Sequence, residues 1–218
     1  MNHYTTVLFD LDGTLTDPKV GITSSVAYAL KSFGIAVEDL DSLRPFIGPP
    51  LKESFMVYYG FSDEQASEAV SKYREYFSVT GIFENEVYEG IPELLSALKC
   101  AGRRVILATS KPKIYAEQIL EHFGLAKYFD YVAGSELDGT RVKKAEVIDY
   151  ALAQVGIADR SCAVMVGDRL HDILGAKETG LPSIGVLYGY GDRPELETAG
   201  ADRIAADVAE LERLLLQS

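Results

Sequence analysis

Asp10 and Asp12, two positions apart, close the short apolar run Val7-Leu8-Phe9 and are followed at once by Gly13 and Thr14. The run has the β-branched and aromatic make-up of a buried strand. Strand side chains alternate between faces, so the two carboxylates point the same way, ~6.5–7 Å apart along an ideal strand. Burying an unpaired carboxylate costs several kcal/mol, so acids at the end of such a strand need a compensating task. Two carboxylates on one face can hold a cation and divide nucleophilic and acid/base roles between them. Gly13 permits a backbone turn closed to other residues, and Thr14 supplies a hydroxyl beside it. The competing reading is a strand that ends in an Asx turn with both acids solvated.

More polar groups close later apolar runs. Strand Arg104–Ala108 ends on Thr109-Ser110-Lys111-Pro112, and strand Ala163–Val166 ends on Gly167-Asp168. Lys143 and Lys144 open a helix between them, where cations oppose the helix dipole, so their placement suggests a task other than helix stability. Each group alone has a plain structural reading: Thr109 as a helix cap, Asp168 as a turn acid, the lysines as a solvated basic surface. Their coincidence at the carboxyl edge of one sheet, where open parallel sheets bind ligands, favours a site.

The elements that must position these groups follow from the pattern of the chain. After the first strand, residues 17–33 read as a helix stopped by Gly34. Residues 43–50, rich in proline and glycine, read as a loop, and Leu51–Tyr59 reads as a helix. Ser62 with Gln65 forms a capping box for a helix lined by Ala66, Ala69, Val70, Tyr73 and Phe77. Strands and helices then alternate: helices from Ile91 to Cys100, 113–123, 144–155, 171–179 and 207–217, and further strands at Tyr131–Gly134 and Ser183–Leu187. Alternation of this kind implies an α/β fold with a parallel, doubly wound sheet. The expected division is an α/β core of residues 1–16 and 84–218, interrupted by an all-helical cap of residues 17–83.

Composition narrows the classes of function. The 218 residues carry 21 basic and 33 acidic side chains, a formal net charge of −12. That balance speaks against a nucleic-acid polymer or an anionic membrane as partner, since either needs a basic face. It leaves room for a local cationic pocket and a small anionic substrate. No apolar run approaches the ~20 residues of a membrane span. Residues 1–6 are polar, and Cys100 and Cys162 read as reduced, structural residues, with Cys162 buried; a cytoplasmic setting is the expectation. His3, His122 and His171 show no metal-ligand spacing and read as surface or helix residues.

Asp10-Leu-Asp-Gly-Thr, the strand ending in Thr109, a lysine near 144 and Gly167-Asp168-Arg-Leu-His-Asp172 together resemble the four motifs of the haloacid dehalogenase superfamily, in order and approximate spacing. The insertion after the first strand resembles that superfamily's helical cap of the first type. Tyr88-Glu-Gly-Ile-Pro-Glu-Leu-Leu and Ile47-Gly-Pro-Pro-Leu51 are similar to its phosphoglycolate phosphatase and 5′-nucleotidase-like branch. The resemblance implies phosphoglycolate phosphatase-like hydrolysis of a small phosphate monoester, a phosphorylated metabolite, through an aspartyl-phosphate, with a 5′-nucleotidase acting on nucleoside monophosphates as the alternative. Asp10 is then the nucleophile and Asp12 the acid/base. Mg2+ is the implied cofactor, held by Asp10, the Asp12 main-chain carbonyl and Asp168. Thr109 and the lysine hold the phosphoryl oxygens, and Asp172 orients the lysine or the metal's water shell. Lys144 is preferred over Lys143 by analogy with related Lys-x-Glu-Val-Ile sequences, and Ser110 replaces a frequent asparagine at the phosphate.

Asp12 speaks against a dehalogenase, which needs no acid/base there, and against a phosphonatase, while Thr14 fits the phosphatases better than a sugar phosphomutase. A receiver-like phospho-acceptor module is shorter and carries its aspartate on a middle strand. A Rossmann-type nucleotide-binding module needs a glycine triplet that the first turn lacks. In the cap, Arg44 and Lys52 flank the 46–50 loop and are the expected specificity residues. Phe46 and Phe55 read as cap-core residues, with stacking on a nucleotide base as the alternative.

Overall fold

The computed structural model describes residues 4–216, so His3 lies outside the described residues. By internal contacts the chain divides into two compact units, Met1–Thr16 with Val87–Ser218, and Asp17–Glu86. The first unit begins with β1 (Thr6–Phe9), and the segment β2 (Thr16–Asp17) leads out of it. The second unit holds α1 (Lys19–Ser32), α2 (Leu51–Tyr59) and α3 (Asp63–Tyr76), and β3 (Glu86–Val87) leads back. The connecting segments β2 and β3 pair as a two-stranded ribbon. The first unit then continues with α4 (Ile91–Cys100), β4 (Arg104–Pro112), α5 (Lys113–His122), β5 (Tyr131–Ser135) and α6 (Lys144–Gln154). It closes with β6 (Ala163–Gly167), α7 (Leu170–Glu178), β7 (Ser183–Val186), α8 (Arg193–Ala199), β8 (Arg203–Ala205) and α9 (Val208–Leu216).

Six strands form one parallel sheet in the order β5-β4-β1-β6-β7-β8, so the fold is the doubly wound α/β type that the alternation predicts. β1 lies inside it, with Phe9 level with Leu107 of β4 and Val166 of β6. Val7, Leu8 and Phe9 are fully buried, which explains why the strand reads as an unbroken apolar run rather than an alternating one. On one face, Leu8, Ile106 and Met165 pack with Val147, Ile148 and Ala151 of α6 and Ala176 of α7. The chain steps from β1 outward through β4 to β5, then returns to the other side of β1 for β6 to β8. The reversal places a topological switch between β1 and β6, where doubly wound sheets open a crevice beyond the strand ends.

The second unit is helical, built on α1 packed against α3 and on α2 against α3. The capping box is formed: the Gln65 backbone N–H donates to Ser62 Oγ at 3.2 Å, and the Ser62 N–H donates to Gln65 Oε1 at 3.0 Å. Phe46 and Phe55 are buried and meet edge to face at 5.0 Å, beside Phe61, Phe33 and Tyr59. They are core residues of this unit, and the stacking alternative does not apply to them.

Several local expectations need correction. Residues 43–50 are not all loop, since Leu40–Phe46 forms a 3-10 helix that Asp39 caps by accepting from the Asp41 N–H at 2.9 Å. Proline near its end is tolerated because a 3-10 turn leaves few carbonyls for the ring to obstruct. After α3 the helix widens into a π turn over Phe77–Gly81. β4 runs four residues past Ala108, irregularly, until Pro112 pairs with Ser135. β3, α8 and β8 escape sequence reading because each is short. Cys162 is only half-buried, at the end of a 3-10 turn, and both cysteines are free thiols.

Candidate active site

β1 ends where the Asp10 N–H donates to Val166 O at 2.9 Å, which keeps the chain extended until Asp10 has passed the sheet edge. The chain then curls back, with the Leu15 and Thr16 N–H groups both donating to Leu11 O. Gly13 makes that curl with φ +82°, and a Cβ there would lie 2.2 Å from Asp168 Oδ2. Glycine is required twice over, for the backbone angle and for the closeness of the carboxylate. Asp10 and Asp12 end up 6% and 9% exposed, so the solvated Asx-turn reading fails.

Lys144, the first residue of α6, is buried and reaches three oxygens. Its Nζ lies 2.8 Å from Asp10 Oδ1 and 2.8 Å from Asp172 Oδ1, and donates to Ala108 O at 3.1 Å. Lys143, the preceding residue, is exposed. Of the two lysines, Lys144 is the one that the structure brings to Asp10. Burial alone would lower the Lys144 pKa, but the charges of Asp10 and Asp172 outweigh it and hold the ammonium well above the ordinary lysine value. Asp172 is fixed on its other side by the Arg169 N–H, which donates to Oδ2 at 3.1 Å. Burial raises its pKa to about 6 despite Lys144.

Asp168 follows β6 and has no lysine partner among the described residues. Thr14 Oγ1 donates to its Oδ1 at 3.3 Å and the Tyr190 N–H to its Oδ2 at 2.8 Å. Burial and the neighbouring charge of Asp172 push its carboxyl well above the usual range. The segment after β7 wraps this group: Tyr188 donates to Thr14 O at 3.1 Å, and a Cβ on Gly189 would lie 2.2 Å from Gly13 O. Sequence reading missed that clamp, although Tyr-Gly-Tyr-Gly directly after a strand was its visible sign.

β4 delivers Thr109, which is 2% exposed and whose Oγ1 accepts from the Lys111 N–H at 3.2 Å. Ser110 is half-buried, and its carbonyl accepts from Ser135 Oγ at 2.8 Å. Lys111 is the residue that sequence reading passed over. Its Nζ lies 2.9 Å from Asp12 Oδ2, with the two side chains 6% and 12% exposed. Strand alternation from Thr109 places position 111 on the same side, and that was the available signal.

Carboxylate oxygens of Asp10, Asp168 and Asp172 lie within 4.8 Å of one another and could hold a metal ion. Four buried carboxyl groups, Asp12 included, face two ammonium groups, so acids outnumber cations by two. An all-oxygen set with that excess suits a hard divalent cation. His122 and His171 are exposed and stand outside this cluster. In the helical unit, Lys52 is ion-paired with Asp63 at 2.6 Å, and Arg44 is exposed. Among the described residues, no helix is long and apolar enough to cross a membrane.

Comparison with known proteins finds relatives that match over nearly the whole chain. A 5′-nucleotidase of Pseudomonas aeruginosa is 50% identical over 212 residues, covering 97% of this chain and 96% of that protein. A protein of Mycobacterium tuberculosis named tyrosine-protein kinase PtkA is 40% identical over 96% of this chain and 72% of its own. At 30% identity, over 96% of this chain and 91% of its own, stands a phosphoglycolate phosphatase of Agrobacterium fabrum. The crystal structure of a predicted phosphatase from Clostridium acetobutylicum superposes with a TM-score of 0.96 at 53% identity, covering 99% of both chains. Residues 7–186, from the strand that carries Asp10 to the strand that leads into the Tyr188 clamp, match the family described as haloacid dehalogenase-like hydrolase, and the chain belongs to that family.

Proposed function

We propose that the protein is a Mg2+-dependent phosphatase that hydrolyses a small phosphate monoester through an aspartyl-phosphate on Asp10. The observation that carries the reading is the pairing of two buried aspartates with two different lysines, Asp10 with Lys144 and Asp12 with Lys111. The Lys144 ammonium 2.8 Å from Asp10 Oδ1 places a positive charge at the nucleophile. At Asp12, burial raises the pKa and the Lys111 charge only partly offsets this. A carboxyl so poised can exchange a proton.

In the first step an Asp10 oxygen attacks phosphorus, the bond to the leaving oxygen breaks, and Asp12 gives that oxygen its proton. In the second, Asp12 takes a proton from water as the water attacks phosphorus, and inorganic phosphate leaves with Asp10 restored. Thr109 and Lys144 offset charge on the phosphoryl oxygens. Asp10, the Asp12 main-chain carbonyl and Asp168 would hold Mg2+, which when bound neutralises phosphoryl charge. Asp172 keeps Lys144 in place. The helical unit selects the substrate in this reading, with Arg44 and Lys52, which flank the 46–50 loop, as its candidate specificity residues.

For the substrate, 50% identity to a 5′-nucleotidase favours a nucleoside 5′-monophosphate over phosphoglycolate, whose phosphatase is less similar. The likeness to a protein named a tyrosine kinase motivates one further reading, transfer of the phosphoryl group to an acceptor other than water. Phosphate release from a 5′-monophosphate, phosphoglycolate and an aryl phosphate, each with Mg2+ and with excess chelator, tests the proposal. The expected result is Mg2+-dependent release with the highest kcat/KM on the 5′-monophosphate, and no release by Asp10→Asn. Turnover by Asp10→Asn under conditions that exclude deamidation would overturn the nucleophile. Labelled phosphate found on protein tyrosine rather than in solution would favour the transfer reading.

A further inference from the structure

The two oxygens of Asp12 are not equivalent. Oδ2 is held by Lys111 Nζ at 2.9 Å, whereas Oδ1 is buried with no hydrogen-bond partner among the described residues. A buried carboxylate oxygen without a donor is costly, and such an atom persists where function needs it open. Lys111 is itself firmly seated: its side chain is 6% exposed, and its N–H donates to Thr109 Oγ1 at 3.2 Å. That bond ties the lysine's backbone to a residue that holds the phosphoryl group in the proposed reaction. β4 is irregular between Ala108 and Pro112, and this stretch is what brings both Thr109 and Lys111 to the site.

We infer that Lys111 is the positioning residue of the acid/base: by occupying Oδ2 it fixes the plane of the Asp12 carboxyl and leaves Oδ1 as the atom that passes the proton. The bond changes are those already written for the two steps, with the transferred proton residing on Oδ1 between them. Lys111 neither gives nor takes a proton. A carboxyl without this partner rotates about its last torsion, a broad and shallow one, and presents its proton in many directions. Loss of alignment of this order costs up to about 100-fold in a step that depends on it. The inference rests on the reading of Asp12 as the acid/base.

Leaving-group dependence tests it. A nitrophenyl phosphate has a leaving group that departs without a proton, whereas an alkyl phosphate needs one, so the ratio of their kcat/KM values reports on proton delivery. Lys111→Met is expected to lose about 10–100-fold on the alkyl ester and little on the aryl ester. Lys111→Arg, which keeps a cation on Oδ2, is expected to recover part of the alkyl activity. In an Asp12→Asn background, Lys111→Met is expected to add no further alkyl-specific loss, because the two residues act as one unit. An equal loss on both esters, or a full additional alkyl-specific loss on top of Asp12→Asn, would overturn the inference and assign Lys111 to packing or to direct substrate contact. If Asp12→Asn alone shows no preference between the esters, the acid/base reading fails, an outcome distinct from failure of the Lys111 inference.

Discussion

Replacing Lys144 with methionine removes one charge from the centre of the site while keeping much of the side-chain volume. In the native protein the ammonium stands 2.8 Å from both Asp10 Oδ1 and Asp172 Oδ1. At an effective dielectric of about 20, each such pair is worth roughly 6 kcal/mol of gross attraction, most of which offsets the desolvation of the three groups. Breaking a buried pair by removing one partner typically costs about 3–5 kcal/mol, since the remaining charges stay buried. Here the excess of acids over cations grows from two to three. The variant has an escape: Asp172, with a pKa already near 6, loses its cation, moves further up and binds a proton at neutral pH. The loss therefore lies at the low end, about 3 kcal/mol at pH 7.5, or a fall in Tm of about 6–12 °C for a chain of this size. The sign of the pH dependence follows. The folded variant binds more protons than the unfolded chain, so its stability recovers as pH falls towards 5. Phosphate release at saturating Mg2+ should fall at least about 100-fold, the usual scale for losing a preorganised charge at a phosphoryl group. Thermal unfolding of wild type and variant at pH 5 and 7.5, with phosphate release alongside, checks both. A stability difference of less than about 1 kcal/mol at pH 7.5 that is equal at pH 5 would refute the electrostatic reasoning.

Wild-type protein kept metal-free should itself be more stable at pH 5 than Asp172→Asn predicts from pH 7.5. Asp12, Asp168 and Asp172 all have raised pKa values, and a raised carboxyl loses stability as pH climbs from its ordinary range through the folded value, near 6 for Asp172. Urea denaturation in chelator, wild type against Asp172→Asn, checks it, and added Mg2+ should stabilise more at pH 7.5 than at pH 5. Gly13→Ala forces a Cβ to within 2.2 Å of Asp168 Oδ2 at a φ of +82°, so cation affinity measured by calorimetry should drop at least about tenfold. In the helical unit, Arg44→Ala and Lys52→Ala should each narrow the preference between a 5′-monophosphate and an aryl phosphate. Lys52→Ala should leave stability within about 0.5 kcal/mol, because it loses only an exposed pair with Asp63. A preference unaltered in both variants would remove this segment as the specificity element.

Strong periodicity and capping make most of the architecture legible in the sequence. α2 and the capping box at Ser62 and Gln65 fall where composition places them, since both rest on interactions within a few residues. Asp10, Asp12 and Asp168 were legible because an acid at the end of an apolar strand is anomalous on local grounds alone. The contacts that sequence does not show span the chain. Lys111 meets Asp12 across about a hundred positions, and the Tyr190 N–H meets Asp168 only after β7 has turned back. The choice between Lys143 and Lys144 depends on which of two adjacent helix positions faces β1. No period resolves that at a helix start, where the first turn has no preceding turn to set its face. Short elements such as β8, three residues long, carry too few side chains to form a pattern.

The position of β1 also sets the order in which the chain can take shape as it leaves the ribosome. Thr6 emerges well ahead of Arg104 and Ala163, its neighbours in the sheet. At about 5–20 residues per second, β1 waits roughly 5–20 s for one flank and roughly 3–12 s more for the other. Until β4 emerges, an apolar strand ending in two acids has no partner strand to join. The helical segment that emerges directly behind it makes contacts near in sequence, which form quickly and at little cost in loop closure. Nascent chains arrested before Arg104 should therefore hold an ordered helical unit and an unprotected β1. That strand is the segment for which a chaperone has the longest opportunity to compete.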